Sequence, residues 1–174
     1  MTRRCELRFT AVLLAAMGLA ACEAPSTPAP ATGTPPPAGA AIPSAAVLRQ
    51  LYADKTWLWA DGGGYFGPTG TFLAATGTGD KTNYAKGFWW TTDQGAMCFD
   101  AVWHVKGSAG DAVTCFGHRR AGEVWYQKKG PSGPWYIFKS DPPKPDDESA
   151  KLKPGDQIEA QLQAAKTTFG ISKP

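Results

Sequence analysis

Histidine occurs only twice and cysteine four times in this 174-residue chain. No metal-spaced Cys/His set can be assembled from them, and there is no nucleophile elbow or glycine-rich phosphate loop. No metal and no cofactor is therefore expected. Charge is sparse as well: the formal net charge is +3. Losing the first 21 residues would remove Arg3, Arg4, Arg8 and Glu6 and leave +1. A nearly neutral chain lacks the electrostatic footprint of a nucleic-acid binder. The apolar run at residues 9–21 falls short of the roughly 20 residues a membrane-spanning helix needs. Residues 23–46 contain no aromatic side chain, which excludes a buried core there.

The segments so delimited have positive readings. Arg3, Arg4 and Arg8 precede the short apolar run, and Leu19-Ala20-Ala21-Cys22 closes it. This is the three-part layout of a signal peptide. Its last four residues resemble a bacterial lipobox, in which Cys22 receives a diacylglyceryl group before cleavage. Residues 1–21 are then a removable leader, and residues 22–45 a Pro/Ala-rich tether. An extended chain rises about 3.1 Å per residue, so some twenty residues reach roughly 60 Å. Glu23 follows Cys22 where an aspartate would favour inner-membrane retention, so the outer membrane is the expected address, with the domain facing the periplasm.

Residues 46–174 read as one β-rich domain. All seven tryptophans lie between Trp57 and Trp135, and aromatic residues favour a pleated, half-buried surface. Gly67-Pro68-Thr69-Gly70 and Gly130-Pro131-Ser132-Gly133 repeat one turn recipe, with proline pre-setting φ and glycine closing the turn. About eight short strands follow, at 56–60, 64–67, 71–76, 84–91, 96–105, 111–119, 123–128 and 134–139. The expected fold is mainly β, an antiparallel meander forming a small barrel or a strongly curved sheet. Short helices flank it. Ser44 caps one carrying Val47, Leu48 and Leu51, and Asp156 starts another carrying Ile158, Leu162, Ala165 and Phe169.

Cys5 would leave with the leader and Cys22 would carry lipid, which leaves Cys98 and Cys115 as an even pair suited to an oxidising compartment. The alternative is two buried thiols. Direct pairing across a hairpin makes partner numbers sum to 213, with the turn near Lys106 and Gly107. Met97, Phe99, Ala101, Trp103, Phe116 and His118 then share a core face; Cys98, Asp100, Val102, His104, Asp111, Val113 and Cys115 share the other. That second face brings Asp100, His104 and Asp111 to diagonal positions, roughly 7 Å apart. An acid–base cluster is conceivable there; a polar outer sheet face is the plainer reading. His118 reads as a hydrogen-bonded core histidine and Asp61 as a turn residue. Arg119-Arg120 with Lys128-Lys129 reads as a solvated face. The aromatics either fill the core or line a barrel mouth, where they would suit a lipid, a porphyrin or a sugar ring.

Several stretches resemble an exported bacterial family labelled a domain of unknown function, number nine-nine-five. They are Lys55-Thr56-Trp57-Leu58-Trp59, Gly64-Tyr65-Phe66, Gly87-Phe88-Trp89-Trp90, Thr114-Cys115-Phe116-Gly117-His118-Arg119, Val124-Trp125-Tyr126-Gln127 and Trp135-Tyr136-Ile137-Phe138-Lys139. The likeness runs over roughly residues 46–160. It implies an exported domain and carries over no catalytic residues.

The expected product is a lipid-anchored envelope protein that binds a small apolar or aromatic ligand, or maintains the envelope, without catalysis. The alternatives are an inhibitor or assembly factor acting on another envelope protein, and a small hydrolase using Asp100, His104 and Asp111. Replacing Cys22 with Ala should move the protein from the membrane to the soluble fraction on cell fractionation. Persistent membrane association would remove the anchor.

Overall fold

Ser44 stops the incoming chain and starts a helix, its Oγ accepting the Val47 N–H at 3.3 Å. The computed structural model describes residues 33–170. The expected leader, Cys22 with its expected lipid, and the first part of the Pro/Ala-rich stretch lie outside the described residues. Upstream of the helix, Ala41 forms a two-bond bridge with Arg120, at 2.7 and 2.9 Å, and Pro43 is buried. Among the described residues no helix is long and apolar enough to cross a membrane.

Helix α1 (Ala45–Tyr52) leads into strands β1 (Lys55–Trp59), β2 (Gly62–Phe66), β3 (Thr71–Thr76), β4 (Asn83–Thr91), β5 (Ala96–Val105), β6 (Ser108–Ala121), β7 (Val124–Lys129) and β8 (Tyr136–Lys139). A three-residue strand, β9 (Leu152–Pro154), and helix α2 (Glu159–Thr168) complete the domain. The strands form one antiparallel sheet in the order β8-β7-β6-β5-β4-β3-β2-β1-β9. It curls into a half-barrel, as the meander of short strands implied. The ninth strand was not legible because Leu152-Lys153-Pro154 has no β pattern. It pairs only with β1, at an edge where a proline leaves no ladder bond unmade.

The curl is not closed by a ladder between β8 and β9. A 3-10 turn, Glu148–Lys151, instead contacts both β8 and β1. Trp57 of β1 donates its indole N–H to Glu148 at 2.8 Å, and its ring meets Phe138 of β8 at 6.3 Å. Side chains bridge the seam that backbone bonds leave open.

The β5–β6 register runs from Ala96↔Gly117 to Val105↔Ser108 and includes Cys98↔Cys115. Partner numbers sum to 213 throughout, as the hairpin argument required. The two-residue turn is Lys106-Gly107, with Gly107 at φ 81°, a conformation that costs a side-chain-bearing residue. Met97, Ala101 and His118 are buried on the concave face, and Trp103 and Phe116 pack against the same core. On the convex face Val113 is 62% exposed. Cys98 is on that convex face yet buried, flanked at its register position by Trp90 and Cys115.

The two helices serve opposite faces. Leu48 and Tyr52 of α1 join the concave core with Trp57, Phe66 and Phe138. Ile158, Leu162 and Ala165 of the α2 segment pack on Ala75 and Tyr84 outside, with Phe169 against Tyr84 at 5.5 Å. Asp156 accepts the Ile158 N–H at 2.9 Å at the start of this segment. The Gly62-Gly63-Gly64 run lets these layers close up. A Cβ on Gly62 would lie 2.0 Å from the Ala75 carbonyl oxygen, and one on Gly63 would lie 3.0 Å from Ile158.

The Cys98 and Cys115 sulfurs are 2.06 Å apart and close a loop of sequence separation 17. Chain-entropy arguments put the stabilisation from such a loop at about 3 kcal/mol. Replacing both cysteines with alanine should therefore lower unfolding free energy in urea by about that amount. An unchanged midpoint would indicate that no bridge forms.

Candidate functional site: an aromatic pocket

Aromatic side chains on the concave face surround a cavity of about 310 Å³. Phe66 and Phe72, both essentially fully buried, form its floor with Phe99, which stacks on Phe72 at 4.2 Å between centroids. Trp57 and Phe116 face one another from β1 and β6 at 4.9 Å. Trp59, 37% exposed, stands at the rim. Tyr136 and Glu148 complete the lining. Strand alternation explains the convergence: Trp57, Trp59, Phe66, Phe72, Phe99 and Phe116 all fall on the inward parity of their strands. Gly64 makes room for two of these rings. A Cβ there would lie 2.8 Å from Phe72 and 3.3 Å from Trp59.

Glu148 is held in place by its neighbour. Asp147 accepts the Ser140 N–H at 2.8 Å, the Ser140 hydroxyl at 2.7 Å and the Lys144 N–H at 2.9 Å. These bonds hold the Asp147 carboxyl below its usual range against the opposing effect of burial, and they fix the 140–148 loop over the seam. Glu148 then accepts from Trp57 on one oxygen and from Lys151 on the other, at 2.8 and 2.7 Å.

Tyr136 links the pocket to a buried polar chain. Its hydroxyl donates to Gln127 Oε1, and Gln127 Nε2 donates to the Tyr52 hydroxyl at 2.7 Å. Tyr52 lies 2.8 Å from His118 Nε2, and His118 Nδ1 lies 3.3 Å from the Gly95 carbonyl. With neutral His118 protonated on Nδ1 toward Gly95, its Nε2 accepts from Tyr52 and also lies 2.8 Å from the Gln127 Nε2 donor. Burial raises the pKa of both phenols, and the Glu148 charge adds to the effect at each. Both remain neutral donors at physiological pH.

The convex-face cluster has different geometry. Asp100 and Asp111 line one open depression with Lys86, Phe88 and Val113. His104 is outside that lining; its ring stacks on Tyr84 at 4.5 Å. The diagonal register holds, since Asp111 pairs with Val102 and Asp100 with Val113, but His104 does not share the depression that the two aspartates line. Among the described residues no group of three His, Cys, Asp or Glu side chains is placed to hold a metal. Three cations of β6 and β7, Arg119, Arg120 and Lys128, have partners within the chain. Arg120 pairs with Glu123 and lies over Trp125, while Arg119 and Lys128 both lie over Trp135. Asp61 accepts from the Thr76 hydroxyl at 2.8 Å, beside its turn.

Sequence reasoning missed Tyr52, Gln127 and Glu148. Tyr52 sits four residues after Leu48, the helical spacing that marks a shared face. Gln127 falls on the inward parity of β7, opposite His118. Glu148 carries no local signal, since it reaches the pocket through a loop.

A family model described as "Protein of unknown function (DUF995)" matches residues 12–158. No curated protein and no solved structure matches the chain.

Burial outweighs the backbone hydrogen bonds at Gly95 and Phe116 and pushes the His118 imidazole down to about 4 from its ordinary 6.5. The unfolded chain takes up this proton first as pH falls. The associated stability is complete above pH about 6.5 and is lost progressively toward pH 4, about 3 kcal/mol in all. Urea unfolding across that range should show the decline, and His118→Gln should flatten it. A wild-type curve flat from pH 7 to pH 4 would contradict a neutral buried imidazole.

Proposed function

The chain belongs to the DUF995 family of proteins of unknown function, and we propose that it is a non-catalytic ligand-binding module tethered in the bacterial cell envelope. The observation that carries this reading is the concave aromatic pocket of about 310 Å³. That volume is at the low end for small-molecule sites, which are mostly apolar with a few placed polar groups. Its lining matches this description: six aromatic hydrocarbon or indole rings, one phenol and one carboxylate. Neither the phenol nor the carboxylate is poised as a base beside a nucleophile. The ligand class that fits is a small apolar or aromatic group, such as a single ring or a segment of acyl chain.

The lipobox-like Leu19-Ala20-Ala21-Cys22 and the proline-rich stretch after it support the envelope address. In this reading a lipid on Cys22 anchors the protein, the outer membrane is favoured by Glu23, and the linker presents the pocket to the periplasm. A second reading, docking onto another envelope protein, draws on the convex face. Phe88 and Val113 are 57% and 62% exposed there, next to Val102.

Thermal unfolding of the purified protein with fatty acids, phospholipids, muropeptides and haem tests the binding reading. A ligand at about 100 times its dissociation constant adds about 2.7 kcal/mol, enough to raise the midpoint by several degrees. Phe116→Ala should abolish the shift. An unshifted midpoint with every class, together with a specific envelope cross-link at the convex face, would favour the protein-partner reading.

A further inference from the structure

We propose that the aromatic pocket takes a ligand whose buried end is a quaternary ammonium or a comparably alkylated cation. This rests on the pocket being a ligand site and names what it selects. Aromatic rings present a negative quadrupole face, and Trp is the strongest partner for a poorly hydrated cation. Two tryptophans, Trp57 and Trp59, line this cavity, and Glu148 is the one lining residue that carries a formal charge. A cavity walled by rings and closed by one carboxylate is electrostatically complementary to a single diffuse positive charge.

The hydrogen-bond inventory narrows the class. Three lining side chains can donate: Trp57, Trp59 and Tyr136. Two are committed, Trp57 to Glu148 and Tyr136 to Gln127. A carboxylate or phosphate would enter beside Glu148 with scant donor compensation for its lost water. A primary ammonium would need acceptors for three N–H groups, and the walls offer one carboxylate. An alkylated ammonium has no N–H to satisfy and turns methyl groups to the rings. Lys151 is not a lining residue and holds the second Glu148 oxygen from outside, in a pair with side-chain exposures of 48% and 27%. A partly solvated pair of this kind contributes little net stability, so Lys151 can turn to water when a cation takes its place beside Glu148.

The test titrates the full-length protein with choline and with its uncharged carbon isostere, in which tert-butyl replaces trimethylammonium, reading tryptophan fluorescence. Choline should bind at least about tenfold more tightly. Glu148→Gln keeps an acceptor for Trp57 and should bring the two affinities within about threefold. Trp59→Leu, a rim change independent of the Glu148 loop, should likewise weaken choline more than the isostere. A phosphocholine arm separates the sources of the cation: affinity kept points to a lipid headgroup, and affinity lost points to a free amine. Isostere binding equal to or tighter than choline overturns the cation assignment and leaves the apolar pocket standing. If neither compound binds and no apolar ligand shifts the melting curve, the pocket reading falls with it.

Discussion

The hydroxyl of Tyr52 is buried in the middle of an aromatic interior, and the arrangement around it depends on satisfying that one group. An unpaired buried polar group costs about 1–3 kcal/mol. Tyr52 avoids the cost by bonding His118 on β6 and Gln127 on β7, and Gln127 extends the chain to Tyr136 at β8. Helix α1 is thereby fixed to the three last long-range partners of the meander. Among the described residues every buried side-chain nitrogen and oxygen has a partner. The Tyr52 ring also meets Phe66 and Phe138, at 5.4 and 6.3 Å, so the same residue joins opposite walls of the half-barrel.

The pocket follows from the way the sheet closes. No ladder joins the end strands β8 and β9. Here the 3-10 turn and Glu148 bridge the ends, and the rings of Trp57, Phe116 and Tyr136 line a cavity beside them. Large, rigid rings cannot rearrange to fill irregular space as flexible aliphatic side chains do. Gly64 adds to the opening by giving up a side chain where Phe72 and Trp59 approach the backbone. The pocket and the buried network are therefore coupled through Tyr136, which lines one and terminates the other.

Much of the fold was legible from local pattern. The β5–β6 register follows from two cysteines and a period of two, because a one-residue slip would exchange every inward and outward side chain. The C-terminal helix follows from Ile158, Leu162, Ala165 and Phe169, which share one face. The site was legible only in kind. Aromatic density announced rings lining either a core or a mouth, and the structure contains both: Phe66 belongs to the floor and the core together, whereas Trp59 reaches solvent. Asp100, His104 and Asp111 were correctly placed on one face, but a shared face is a weaker condition than convergence. His104 found Tyr84 as its stacking partner.

The sequence by itself determined strand parity, turn positions and the terminal helix, because these depend on spacing between neighbours and on the conformational preferences of glycine and proline. It also carries the lipobox-like segment, whose pattern is read linearly. Only the tertiary structure decided that the sheet stops short of a closed barrel, that Glu148 caps the seam, and that Tyr52 meets Gln127 at a sequence separation of 75. Those outcomes depend on curvature summed over nine strands and on the burial of polar groups far apart in the chain. No local pattern encodes either quantity.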